Sequence, residues 1–506
     1  MRRSVAAAVV ALSTALSITS VASSSSAAGG TTSPSRPASV QTEARQVLRT
    51  AQSVMSGRST RTSPTMALLH LRLAMPQLSG RERSQAVGLL ARPTDHPDPY
   101  GDSYTVKAKK KCKSHFCIHW VPTTSDAPPS MAWVNKQLRM MNHVWKFEVG
   151  KLGYRKPISD GHRGGNGRFD VYLKDLYPQG YYGYCAPERP TSYNTRLYSG
   201  FCVLDNDFAR SQYGAAPMAS ATVTAAHEFF HAVQFAYDAY EDSWMMEVSS
   251  TWMEEQYNDK SNDNRQYLPY GQLAHSNEPL DKFQSNCCSQ YANWLFFEYL
   301  STHYGRSVIH QIWDQAGAYP GAGHKYSAKA IGAALARHGG FKKVFTSYAA
   351  ANITPARAYP EGSHYPHPGF AATWHLSKGH RKTGSRFHVH HMASQDLKVR
   401  PARSLGGPSW KLRVKINGPS RSKAPAVMVV VHTKHRKWIK KMVHLTRKGS
   451  GHVAVPFSRK KVQYVTVTLA NTSTNFHRCG YGKFSCSGIS SSAHPAFQVK
   501  VVAFRG

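Results

Sequence analysis

The 506-residue chain has no C-x-x-C pair, no G-x-S-x-G elbow and no Walker A loop. These absences remove local support for a zinc ribbon or dithiol redox centre, for a serine hydrolase and for a nucleotide-dependent enzyme. Past the first 28 residues no stretch reaches about 18 uninterrupted apolar positions, so the mature chain is expected to lack transmembrane helices. No repeat recurs at a fixed period, which argues against a solenoid or propeller. Acidic residues are scarce: 28 Asp plus Glu stand against 64 Lys plus Arg, a formal charge of +36. That balance excludes an acidic tail and points to polyanionic partners. Hydrophobic residues at 41% exclude a wholly disordered chain, and a mean hydropathy of −0.46 argues against a multi-span membrane protein. At about 150 residues per domain, the length implies two to three domains.

Arg2 and Arg3, an apolar run from Val5 to Val21 and small residues to Ala28 form a secretory signal pattern, so residues 1–28 are expected to be removed on export. The chain is then secreted, extracellular or held at the cell wall. Eight Cys in an exported chain favour disulfides. Cys112 with Cys117, Cys185 with Cys202 and Cys479 with Cys486 would each close a short loop. The adjacent Cys287 and Cys288 would strain a vicinal bridge, so other partners or free thiols are the alternatives.

Residues 29–110 read as a flexible Gly/Ser/Thr/Pro spacer to about residue 64, followed by two short helices between Met66 and Leu90, with a propeptide as one possible role. The basic run Lys109–Lys111 reads as a solvated loop, with a processing site as the second alternative. Alternation in HFCIHWV, RFDVYL and GFCVLD predicts strands near 115–121, 168–173 and 200–205, and a 3.6-residue stripe from Met131 to Trp145 predicts a helix between the first two. After Asp205 the pattern is helical to about Ala350. From about Phe387 it returns to short strands such as WKLRVKI and AFQVKVVAF. The expected fold is α+β: residues 111–380 form a mixed sheet followed by a helical site region, and residues 381–506 form a basic all-β sandwich. That last domain carries 25 Lys plus Arg and one acid, Asp396, so it is the expected binder of an anionic cell-wall polymer or other polyanion.

The segment ATVTAAHEFFHAVQFAYD holds His227, Glu228 and His231 as H-E-x-x-H. On a helix, positions i and i+4 share a face, so both imidazoles can reach one metal while Glu228 stands beside them to hold a water. With 26 His and 12 Glu in 506 residues, chance would supply this motif roughly 0.03 times. The polar stripe His227, His231, Gln234 and Asp238 opposes an apolar one, as the floor of a cleft requires. In the next helical stretch, EDSWMMEVSSTWMEEQYND, Glu247 is the expected third ligand. The small Val248–Thr251 run after it would allow close helix approach, while Glu254, one heptad on, reads as a solvated end. Asp205, Asn206 and Asp207 are a weaker calcium candidate, with a turn as the simpler account.

HEFFHAVQFAYD together with SWMMEVSSTWMEE resembles secreted bacterial metalloproteases of the gluzincin type, thermolysin-like in the broad sense, across about Thr222 to Tyr257. The resemblance implies a zincin-like catalytic domain with one zinc held by His227, His231 and Glu247, Glu228 as general base, and hydrolysis of peptide bonds in protein or peptide substrates. Where thermolysin-like chains carry an Asp four residues after the ligand Glu, this one has Thr251, which leaves the partner of the first His open. The oxyanion would need a donor, and Tyr291 is the first candidate, ahead of His303, Tyr304, His324 and Tyr326. The competing reading is a non-catalytic cell-surface or polyanion-binding protein with a degenerate zincin domain.

Overall fold

The alternation between residues 109 and 205 becomes a five-stranded mixed sheet in the computed structural model, which describes residues 40–59, 62–95, 103–283, 288–435, 437–475 and 494–506. The expected leader at 1–28, Cys287 and the expected Cys479–Cys486 pair lie outside these residues. The strands are β1 (Lys109–Lys113), β2 (Phe116–Trp120), β3 (Phe169–Lys174), β4 (Gly183–Pro190) and β5 (Tyr198–Asp205), in spatial order β1-β2-β3-β5-β4. β2, β3 and β5 run parallel, and β1 and β4 are the antiparallel edges. Both remaining expected disulfides are present, Cys112–Cys117 across β1 and β2 and Cys185–Cys202 across β5 and β4, each joining residues in register. Cys288 is also disulfide-bonded, which removes the free-thiol alternative for it. Lys109–Lys111 belongs to strand β1 and not to a loop.

Helices cover both faces of this sheet, which is why its inner strands are buried along nearly every residue rather than on alternate ones. On one side lie α1 (Val40–Met55), α2 (Pro64–Ala74) and α3 (Gly80–Leu89), packed against Tyr172, Phe201 and Val203. The spacer reading of residues 29–64 therefore fails over its described part. The stripe Ala44, Leu48, Ala51 and Val54 has the helical period, but two of its four members are Ala and the signal is faint. Arg92 ties this layer down, buried among Asp160, Asp170 and Glu188 and 2.6 Å from each of the last two. On the other side α4 (Met131–Trp145) joins a helical region: α5 (Arg210–Tyr213), α6 (Pro217–Asp238), α7 (Ser243–Asn258), α8 (Ser289–Ala292), α9 (Trp294–Tyr304), α10 (Ser307–Ala316), α11 (Ala328–Ala334), α12 (Gly340–Asn352) and α13 (Pro355–Ala358). α6 is the central rod, with Ala225, Ala226, Phe229, Phe230 and Val233 all buried.

The C-terminal part is a two-sheet β assembly. One sheet has order β11-β10-β13-β8-β6, from β6 (Ala372–Leu376), β8 (Ala393–Pro401), β10 (Pro425–Thr433), β11 (Ile439–Met442) and β13 (Val462–Asn471). The other has order β12-β9-β14-β7, from β7 (Lys382–His388), β9 (Trp410–Asn417), β12 (Ser450–Pro456) and β14 (Ala496–Arg505). Their inner faces share one apolar core that includes Leu397, Leu412, Val429 and Val499. Sheet pairing begins at β6, ahead of the residue 381 at which the β region was expected to open. The chain is thus mixed α/β with a β-rich C-terminal part, and no helix among the described residues is long and apolar enough to cross a membrane.

Leu69 of α2 is 1% exposed and belongs to the main core together with Phe116 and Phe229. Leu69→Ala is expected to lower the unfolding free energy by about 2–5 kcal/mol in a single transition. Urea titration followed by Trp fluorescence checks this. A separate early transition with an unchanged main one would show that the first three helices are not part of the core.

Candidate metal centre

Two helices build the site. α6 begins at Pro217, whose fixed φ suits a first turn, and runs 22 residues without Gly. α7 is capped by Asp242, whose Oδ1 accepts from the Trp244 N–H at 3.1 Å. Ser249, Ser250 and Thr251 are fully buried on α7, and their small size lets the helices meet. Gln234 of α6 closes the contact by donating Nε2–H to Met246 O, Ser249 Oγ and Ser250 Oγ at 3.0–3.2 Å.

This pairing brings His227, His231 and Glu247 together, with one ligand atom from each inside a 4.8 Å group. His227 Nε2 lies 3.2 Å and His231 Nε2 3.7 Å from Glu247 Oε2. Both imidazoles are oriented from behind. His231 Nδ1–H donates to Gln234 Oε1 at 2.8 Å, and His227 Nδ1 meets Glu254 Oε1 at 2.6 Å. With the Nδ1 positions so engaged, the Nε2 atoms face the shared space. His231 Nε2 is buried there without a hydrogen-bond partner, an orphan that a cation would satisfy. Two imidazole nitrogens and a carboxylate oxygen, with both rings fixed by a second layer of hydrogen bonds, fit a borderline divalent metal such as zinc.

The electrostatics agree with a cation site. Burial disfavours charge on His227, yet its contacts with Glu247 and Glu254 win and hold it well above the usual imidazole range. Burial would raise the Glu247 carboxyl, but the two histidines pull it well below the carboxylate range. Glu254 goes the other way, lifted by burial to about 7 against the pull of His227. Glu254 is therefore not the solvated end expected from its neighbours. It is the partner of His227 that Thr251 could not supply, since the Thr251 hydroxyl donates to the Glu247 carbonyl at 3.0 Å. The signal for it was its place one heptad after Glu247.

Glu228 and Tyr291 both line a cleft of about 230 Å³ beside His227, with Tyr182, Val223, Asp263 and Tyr267 in its walls. The Tyr291 ring centroid is 6.2 Å from that of His227, and burial keeps its hydroxyl protonated. Tyr182 and Tyr267 escaped the sequence reading because each sits in a short loop or 3₁₀ segment without a motif. Of the other donors considered, His303 stacks on Tyr299 and Tyr304 meets His338 at a tilt, and neither lines this cleft. Asp238 pairs with Arg196, apart from the group formed by His227, His231 and Glu247.

The N-terminal layer also reaches the site. Ser63 donates its hydroxyl to Glu247 Oε1 and also engages Tyr291. Thr65 donates to Glu228 Oε2 at 2.9 Å and accepts the Cys185 N–H of edge strand β4 at 2.9 Å. No pattern in residues 60–66 announces these contacts.

No family model and no curated protein matches the chain. Among solved structures, a family GH115 4-O-methyl-alpha-glucuronidase with specificity for decorated arabinogalactans overlays at a TM-score of 0.14 and 7% identity, covering 70% of this chain and 54% of that one. So loose an overlay carries no argument about fold or activity.

The calcium expectation at 205–207 is not met as a site. Asp205 accepts the backbone N–H groups of Leu176, Asp207 and Phe208, Asp207 caps Ala209, and Asn206 donates to Ser125 O and Ala127 O. These groups are spent on a turn. In a second cluster, Cys117, His119 and Asp170, the sulfur is committed to a disulfide.

Zinc titration against a chelating dye separates the two acids of α7. Glu254→Gln is expected to weaken binding by about 10–100-fold by loosening His227, and Glu247→Ala to weaken it well beyond that by deleting a ligand. Greater loss in the Glu254 variant would exchange their roles.

Proposed function

We propose that the protein is a secreted, zinc-dependent endopeptidase of the gluzincin type, built on a zincin-like domain. His227, His231 and Glu247 hold one zinc per chain, Glu228 serves as general base and Tyr291 as hydrogen-bond donor to the developing oxyanion. The observation that carries this reading is the convergence of the two imidazoles and Glu247 around the unpartnered His231 Nε2, with Glu228 on the same helix facing the cleft. When bound, zinc would polarise a peptide carbonyl and lower the pKa of a water toward about 7.

The chain's own residues supply the rest. Glu228 is 8% exposed, and burial raises its carboxyl above the ordinary range while His227 and His231 oppose the rise. It accepts the proton of the attacking water and returns it to the departing amine. Tyr291 donates toward the carbonyl oxygen as charge develops on it. Substrate backbone would align on the outer edge of β4, where a peptide adds as a further strand once Thr65 and Arg72 of α2 release the Cys185 N–H and the Pro187 carbonyl that they hold in this structure. Tyr182 and Tyr267 wall the cleft and help to exclude water.

In this arrangement Ser63 and Thr65 occupy the place of substrate. Thr65 holds the base and the strand edge at once, so the folded chain from Val40 onward is latent until this segment withdraws. Removing these two hydroxyls deletes contacts worth about 0.5–1.5 kcal/mol each, about 1–3 kcal/mol together, so Ser63→Ala/Thr65→Ala is expected to hydrolyse casein about 5–100-fold faster than the parent. An unchanged rate would remove the segment from the control of the site.

The reaction itself is tested in that opened background. Glu228→Gln is expected to keep about one zinc per chain and to lose about 10²–10⁴-fold in casein hydrolysis. Equal rates with zinc retained would sink the assignment of Glu228, and absence of zinc from the parent would sink the centre.

A further inference from the structure

The excess charge of the β-rich part is not spread evenly. From Arg381 to Gly506 there are 25 Lys plus Arg and a single acid, and that acid, Asp396, is buried and hydrogen-bonded to Thr468 Oγ1 at 2.6 Å. The outer face of the five-stranded sheet is partly covered by the helical region, where Ala350 of α12 packs on Met428 and Val430 of β10. The outer face of the β12-β9-β14-β7 sheet is open. Along β9, Trp410, Leu412, Val414 and Ile416 point inward, while Lys411, Arg413 and Lys415 point out. β14 adds Lys500, and β7 adds Lys382 and Arg386.

The register sets these cations side by side. Lys415 stands directly opposite Lys500 on one flank and opposite His452 on the other. Val502 lies between Arg413 and Lys382. Like charges in directly opposed positions destabilise a sheet, and no acid on these four strands relieves them. Lysines on edge strands guard against edge-to-edge pairing, but β9 and β14 are the two inner strands, so that role does not explain Lys411, Arg413, Lys415 or Lys500. A face serving only solubility would mix both signs.

We infer that this face is a binding site for a linear, base-free phosphate polymer. Lys411, Arg413 and Lys415 repeat about 6.4–6.8 Å apart along β9, and Lys500 of β14 stands about 5 Å from Lys415 across the strands, a row of cations with flanking Lys382 and Arg386 on which a flexible chain of phosphates can lie. Sites for single-stranded nucleic acid need exposed aromatic rings on which bases stack. Here the outward aromatic, Phe504, is covered by the Arg413 guanidinium 4.5 Å from its centroid, and the strands offer no outward Trp or Tyr. The inference is independent of the metal centre.

Binding of the full-length chain to long-chain inorganic polyphosphate, measured by fluorescence titration across a salt series, tests it. Lys415→Gln/Lys500→Gln is expected to weaken binding at least about tenfold and to flatten the log–log salt slope by about 1.5, from roughly 0.7–0.9 per lost contact. Lys440→Gln/Lys441→Gln on β11 of the other sheet removes the same charge and is expected to change affinity less than twofold. Thermal midpoints of both variants are expected at or above that of the parent, which separates lost binding from lost folding. Equal weakening by the two pairs would replace the site with diffuse charge. Tighter binding of oligo(dT) or heparin than of polyphosphate at equal salt would overturn the occupant, and no binding at about 50 mM salt would overturn the site.

Discussion

The close approach of α6 and α7 is the constraint on which the site depends. It is set by Ser249, Ser250 and Thr251, which are too small to hold the helices apart, and by Gln234, whose amide bridges to α7 with one end and fixes His231 with the other. A bulky residue in that run would move Glu247 away from the two imidazoles. The same contact aligns Glu254 behind His227, so one helix pair supplies three prospective ligand side chains and the supports of both rings. Such a cluster of buried polar groups is costly unless each finds a partner, and the one left without, His231 Nε2, points into the space the others enclose.

The layer formed by α1 to α3 is bound into the fold by three kinds of interaction. Apolar side chains of α2 enter the main core, Arg92 is buried among carboxylates, and Ser63 and Thr65 reach Glu247 and Glu228. A segment that touches both Glu228 and the outer edge of β4 is placed to govern access to the cleft. Its core contacts begin at Met66, next to Thr65, so release of the two hydroxyls requires the first turn of α2 to open locally, which is less than unfolding of the layer.

The β-rich part divides its two outer surfaces. One leans on α12 and is partly apolar, and the other is open and cationic. Charge that appears in the sequence as a general excess becomes a patterned surface only when β9 and β14 are set side by side. Alternation sends Lys411, Arg413 and Lys415 outward, and register decides that Lys415 meets Lys500.

The sequence by itself determined the helical HEFFHAVQ segment, the grouping of Glu247 with its two histidines, the strands with clear alternation or continuous apolar runs, and two cysteine pairings, because each depends on residues near in sequence and on a short period. It left four things to the tertiary structure. α1 has a stripe half made of Ala, too weak to read as a helix. Glu254 sits among Glu255 and Asp259, which made it look solvated until α6 covered it. Ser63 and Thr65 lie more than 160 residues from the groups they bind, a distance no local pattern encodes. The calcium reading at Asp205 to Asp207 dissolved once backbone N–H groups, invisible in a sequence, were seen to claim those oxygens. Periodicity fixes which face a residue takes on its own element. What stands opposite that face is decided by packing and register between elements far apart in the chain.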